Sequence, residues 1–164
     1  MSHGTAFGAV PLKERYFEDY TAGEVIEFGD RPVTQEEIIE FAKRYDPQPF
    51  HTDPEAAQQS AFGTLVASGW MTASIGMALS VEHFVSPLSS MGSPGVDKLE
   101  WLLPVKPGDR LRMRITVLET KRSRSKPDRG VMRLRQELIN QADQTVMRQE
   151  GLIMQRCRDA APQG

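Results

Sequence analysis

The stretch LVASGWMTASIGMALSVEHF, residues 65–84, decides the fold. Apolar or small side chains fill nearly every position, and no charge occurs before Glu82. A helix written this way has no polar face to offer to water, so the rest of the chain is expected to enclose it. Strong hydrophobes are too few, and too often interrupted, for a membrane span.

The chain beyond this segment is strand-like. RLRMRITVLE, residues 110–119, alternates Leu111, Met113, Ile115 and Val117 against Arg110, Arg112, Arg114 and Thr116, the period of a strand with one wet face. Pro107, Gly108 and Asp109 supply a tight turn before it. Two further strand candidates, residues 130–140 and 145–156, are joined by the hairpin-like NQADQ.

Upstream, EVIEF, residues 24–28, reads as a short strand. Thr34 and Glu37 make a capping box, and Ile38, Ile39, Phe41, Ala42 and Tyr45 recur at helical spacing, which predicts an amphipathic helix over 35–44. Asp53 as N-cap, with Pro54 at the first helical position, opens a second short helix to about residue 59. This order predicts an α+β fold in one domain, residues 16–158, after a small, polar, proline-marked lead-in over 1–15 that reads as loose. A curved antiparallel sheet wrapped around the long buried helix satisfies the pattern, because the helix covers the apolar face of every strand at once. A small sheet with free edges completes itself by pairing with a copy, so a homodimer or higher homo-oligomer is expected.

The 164 residues carry a net charge of −2, which gives no global pull toward nucleic acid or an anionic membrane. The single cysteine, Cys157, allows no intrachain disulfide, and a reducing compartment is expected by default. With no leader-like N-terminus and no long apolar run, the expected location is the cytoplasm.

The chemistry is concentrated in YDPQPFHTDP, residues 45–54. Pro47 and Pro49 each fix their own φ and steer the preceding residue, Asp46 and Gln48, to an extended conformation, so the linker between Asp46 and His51 is stiff. Two polar side chains that must face one point need such stiffness. On this stretch alone, a helix-ending turn with a surface carboxylate and imidazole fits as well. No second histidine stands at ligand spacing, so no metal is expected.

The longer segment DPQPFHTDPEAAQQSAFGTLVASGW, residues 46–70, resembles the hydratase signature of the MaoC-like group, which includes R-specific enoyl-CoA hydratases. Asp46, Pro49, His51, Asp53, Pro54 and Gly69 fall in register with it. Gln48 stands where the signature usually has Asn, keeping the amide on a longer arm, and Ser68 stands where many members have His. The resemblance implies a hotdog fold and a hydro-lyase adding water to a 2-enoyl thioester or removing it from a 3-hydroxyacyl thioester. Asp46 and His51 would then activate the water, and the Gly69 N–H would polarise the thioester carbonyl. Gln48, Pro49, Ser68 and Trp70 would line the substrate site, with Asp53 a helix cap. It implies no cofactor, the substrate being carried by coenzyme A or by the phosphopantetheine of an acyl carrier protein.

The densest basic run, KRSRSKPDRG, residues 121–130, reads either as a solvated loop or as a phosphate anchor built from Lys121, Arg122, Arg124 and Lys126. Two other functions stay open on the sequence. A hotdog thioesterase would want a carboxylate on or near the buried helix, and residues 65–81 offer none. A non-catalytic acyl-thioester binding module is the other, suggested by Gln48.

Overall fold

The computed structural model describes residues 10–160. Residues 1–9 of the expected lead-in lie outside the described residues. Its remainder is docked, not loose: Leu12–Glu14 form a 3-10 turn, Arg15 is buried, and the Arg15 carbonyl accepts a hydrogen bond from Ser89 Oγ at 2.8 Å.

Five strands form one antiparallel sheet: β1 (Val25–Pro32), β2 (Gly95–Trp101), β3 (Arg110–Arg122), β4 (Arg129–Ile139) and β5 (Thr145–Arg156), in the spatial order β1-β3-β4-β5-β2. The alternation read in β3 has the expected consequence. Leu111, Met113, Ile115 and Val117 are buried, whereas Arg112 and Arg114 face outward and hold Glu27 of β1 across the strand pair. β2 is absent from the sequence reading. GVDKLEW has no clean alternation, is mostly exposed, and is held in the sheet by its pairing with β5.

Helix α1 (Gln35–Tyr45) starts at the capping box of Thr34 and Glu37, with Ile38 and Ala42 buried. α2 (Pro49–Thr52) is a single turn opened by Pro49, and α3 (Pro54–Gln58) is capped by Asp53, whose side chain accepts from the N–H groups of Glu55 and Ala56. α4 (Gly69–His83) lies on the apolar face of the sheet. It approaches most closely at Gly76, where an added Cβ would meet Met113, Leu138 and Met147 at 3.1–3.4 Å. The result is the α+β architecture expected from the sequence, one curved antiparallel sheet with a long helix against it.

Two features of the 65–84 segment differ from expectation. Its first four residues are not helical. They are a buried extended run held by Val66 N–H to Phe50 O (3.2 Å) and Ala67 N–H to Val105 O (2.8 Å), and Ser68 caps α4. Nor is α4 enclosed on all sides: Trp70, Met77 and Val81 are 59%, 55% and 52% exposed. One sheet covers one side of a helix, α1 covers part of another, and the third side has no element over it among the described residues. Among the described residues, no helix is long and apolar enough to cross a membrane.

Packing is least forgiving at Gly130 on β4, where an added Cβ would fall within the ring of Phe17. Overpacking of this kind costs roughly 1–3 kcal/mol. Gly130→Ala is therefore expected to lower stability by that amount in urea unfolding, and Phe17→Ala in the same chain should recover part of the loss.

Candidate active site

The site is assembled where α1 ends. Asp46 leaves the helix with φ −153° and ψ 67°, its N–H still bonded to Ala42 O at 2.9 Å, and Gln48 is extended at ψ 142°. Pro49 then starts α2, which carries the buried His51 back over the helix end. The Pro-Gln-Pro linker thus folds the chain so that His51 Nε2 lies 3.3 Å from Asp46 Oδ2.

Each partner is held by a second contact. His51 Nδ1 is 2.6 Å from the Val66 carbonyl oxygen, which can only accept, so this nitrogen carries the proton. In the neutral ring Nε2 then presents a lone pair toward Asp46. Asp46 accepts from Ser68 Oγ at 2.7 Å through Oδ2 and from Gln48 Nε2 at 2.7 Å through Oδ1. Burial pushes the Asp46 carboxyl up. The hydrogen bonds from Gln48 and Ser68, together with the charge of His51 in its protonated form, outweigh burial and hold it below the ordinary carboxylate range.

A carboxylate depressed in the fold adds stability above the unfolded pKa, and that stability is lost as pH falls through the folded value. Ser68→Ala removes a donor that favours only the anion. The Asp46 carboxyl of that variant should titrate at higher pH than in the wild type when followed by carbon-13 NMR, and unchanged titration would mean that Ser68 does not hold it.

Gly69, at the first turn of α4, sits beside this pair. Among the described residues no acceptor takes its N–H, as is usual for the first helical position. Its carbonyl accepts from Trp101 Nε1 at 2.8 Å, and an added Cβ would fall inside the Trp101 indole. The glycine is therefore required first by the indole stacked on it.

Asp46, Gln48, His51, Gly69 and Trp70 line a cleft of about 530 Å³, with Phe50, Phe62, Trp101, Leu103 and Val105 among its apolar walls. Ser68 reaches the cleft through its bond to Asp46, and Pro49 serves by starting α2. Sequence reasoning missed Trp101, Phe50, Phe62 and residues 102–105. A signal existed in WLLP, residues 101–104: Trp101, Leu102 and Leu103 remain 45%, 42% and 40% exposed, more apolar surface than a connection needs. A smaller groove of about 310 Å³ between α1 and α4 is rimmed by the Arg31–Glu37 ion pair and offers no comparable acid–base pair.

The basic run is not brought to this cleft within one chain. Trp101 is level with Met147, Leu138 and Met113 across the sheet. Arg122 lies about 30 Å farther along β3, at ~3.3 Å per residue. Lys121 and Arg122 end β3, while Arg124 and Lys126 lie in the turn before β4. All four are exposed, and Arg122 is engaged by both carboxylate oxygens of Asp159, at 2.7 and 2.8 Å.

A curved antiparallel sheet on one long helix is the hotdog class of fold, and here a largely apolar cleft holding one acid–base pair opens at the helix N-terminus. The chain belongs to the MaoC like domain family, which it matches over residues 18–140. Among solved structures it is similar to the MaoC-like dehydratase from Rhodospirillum rubrum, at 38% identity and TM-score 0.81, covering 88% of this chain and 98% of that one. It is also similar to R-hydratase PhaJ1 from Pseudomonas aeruginosa, at 25% identity and TM-score 0.68, covering 86% and 85% of the two chains. A curated relative, 3-hydroxyacyl-thioester dehydratase Z of Mycobacterium tuberculosis, is 35% identical over 82 residues. That match takes in 49% of this chain and 54% of the relative, so the chain spans about half of that protein's length.

Proposed function

We propose that this protein is a hydro-lyase that adds water to a 2-enoyl thioester, or removes it from the 3-hydroxyacyl thioester, with coenzyme A or an acyl carrier protein as the carrier. The observation that carries this reading is the convergence of Asp46 Oδ2 and His51 Nε2, 3.3 Å apart, on one cleft that also holds the Gly69 N–H. A water lying on the cleft side of both atoms can donate one O–H to the carboxylate oxygen and the other to the imidazole nitrogen. The names of the dehydratase and hydratase relatives support the same class of reaction.

In the forward direction the water oxygen attacks the β-carbon while the Asp46–His51 pair takes one of its protons. A proton returns from the pair to the α-carbon, so the enzyme ends in the state in which it began. Negative charge developing on the thioester oxygen is met by the Gly69 N–H at the first turn of α4. Val66 O and Ser68 Oγ fix the imidazole tautomer and the carboxylate respectively, so that the water is held by groups that need not reorganise. The chemistry uses no cofactor beyond the carrier to which the acyl group is bound.

Crotonyl-CoA tests the reading. Loss of enoyl absorbance without release of thiol is the expected result. Free thiol would mean hydrolysis, and binding with neither change would mean an acyl-thioester binding module.

A further inference from the structure

Two glutamines stand where the pattern of the sheet calls for hydrophobes. On the face of β4 that α4 covers, Gln136 lies between Leu134 and Leu138, both buried. Opposite it on β5 is Gln149, next along that face from the buried Met147. Alternating strands keep such positions apolar, and breaks in the rule collect at functional sites. Both glutamines line a cavity of about 210 Å³ bounded by Met77 of α4 and Val96 of β2. Gly151, the next position on that face of β5, lines it too and has no side chain to fill it.

The hydrogen bonds along its wall run in one direction. Ser80 Oγ is 2.9 Å from the Gly76 carbonyl oxygen, which can only accept, so the hydroxyl donates there. Ser80 Oγ must then accept from Gln136, which presents Nε2 to it at 2.9 Å. Gln136 Oε1 in turn accepts from Gln149 Nε2 at 3.0 Å. The chain of bonds ends on Gln149 Oε1, to which no donor comes among the described residues. Among those residues no charged side chain lines the cavity, so a carboxylate or phosphate would be desolvated there without a counter-charge. A carbonyl oxygen aimed into an otherwise apolar space matches a hydrocarbon chain that carries a hydroxyl group.

This cavity and the catalytic cleft follow one another along the same side of α4. Trp70 lines the cleft, and Met77, two turns on, lines the cavity, both on the exposed stripe of the helix. From Gly69 to Met77 and Ser80 the helix advances about 12–17 Å at ~1.5 Å per residue. An extended chain spans that in roughly ten to fourteen bonds, at ~1.2 Å each. We propose that the cavity takes the far end of the substrate's acyl chain, and that the substrate is a medium-length 2-enoyl thioester whose hydroxyl group, at about carbon 12, donates to Gln149 Oε1. The proposal rests on the hydro-lyase reading, which sets the thioester carbonyl at the Gly69 N–H.

Saturated thioesters, which have no double bond to hydrate, test the cavity apart from the chemistry. By isothermal titration calorimetry, 12-hydroxydodecanoyl-CoA should bind the wild-type protein about tenfold more tightly than dodecanoyl-CoA, the scale of one added hydrogen bond. The double variant Gln136→Leu/Gln149→Leu removes both partners of the amide pair at once and orphans neither, so it should fold with a melting temperature near that of the wild type. In it the preference should vanish or reverse. With the unsaturated pair, wild-type kcat/KM for 12-hydroxydodec-2-enoyl-CoA should exceed that for dodec-2-enoyl-CoA by the same factor of about ten.

Equal affinities of the two saturated thioesters for the wild-type protein would overturn the proposal, whether or not the variant folds. So would a preference that survives in the folded double variant. If neither unsaturated thioester is hydrated while the binding preference holds and depends on the glutamines, the hydro-lyase reading falls and the cavity stands as a site for a hydroxylated acyl chain.

Discussion

Asp46→Asn and His51→Gln should each lower kcat for enoyl-thioester hydration by about 10²–10⁴, with the double variant little worse than either single one. The expectation rests on the two side chains sharing one water, so that removing either leaves the other with nothing to activate. His51→Gln replaces the imidazole with a neutral amide and loses the basic Nε2 lone pair. Asp46→Asn still has an oxygen for the Ser68 hydroxyl but brings an N–H toward Gln48 or His51 in place of a carboxylate acceptor. Circular dichroism and the melting temperature establish that each variant is folded. Near-wild-type turnover by either folded single variant would remove the pair from the mechanism, and strictly additive losses would mean that the two act separately.

The second large effect is expected at Gly69, where two demands coincide. In the proposed mechanism the N–H meets the thioester oxygen, and the Trp101 indole occupies the space a side chain would need. Gly69→Ala alone should displace Trp101, break its bond to the Gly69 carbonyl, shift the N–H that the first turn of α4 presents and lower kcat by about 10²-fold, the scale of a misplaced catalytic group. Trp101→Ala opens room for the methyl group, so the double variant Gly69→Ala/Trp101→Ala should be no slower than Trp101→Ala by itself. That outcome separates the backbone donor, which both variants retain, from the packing that glycine permits. A double variant slower than Trp101→Ala by a further 10²-fold would mean that glycine is needed at this position for the ligand's own approach.

The parts of this molecule legible in its sequence are those that a few neighbouring residues settle among themselves. The period-2 alternation of residues 110–117 specified which face of β3 is buried, because successive side chains of a strand point to opposite faces whatever the strand pairs with. Thr34 with Glu37, and Asp53 with Pro54, specified two helix starts through hydrogen bonds that span three residues or fewer. The Pro-Gln-Pro linker, through steric restriction at each proline, already implied that Asp46 and His51 are held at a set separation.

What only the tertiary structure decided depends on groups far apart in the chain. β2 is a strand because β5 lends it hydrogen bonds, and no local preference in GVDKLEW announces that. The His51 tautomer is set by a carbonyl 15 residues away, and Asp46 takes one of the two hydrogen bonds that hold its carboxyl down from a serine 22 residues away, the other coming from neighbouring Gln48. Gly69 is shaped by Trp101, 32 residues on. The uniformly apolar 65–84 segment correctly announced burial, yet composition cannot count how many sides of a helix one sheet can cover. A single curved layer covers one of them, and the exposed stripe of Trp70, Met77 and Val81 is what the chain's own elements leave over.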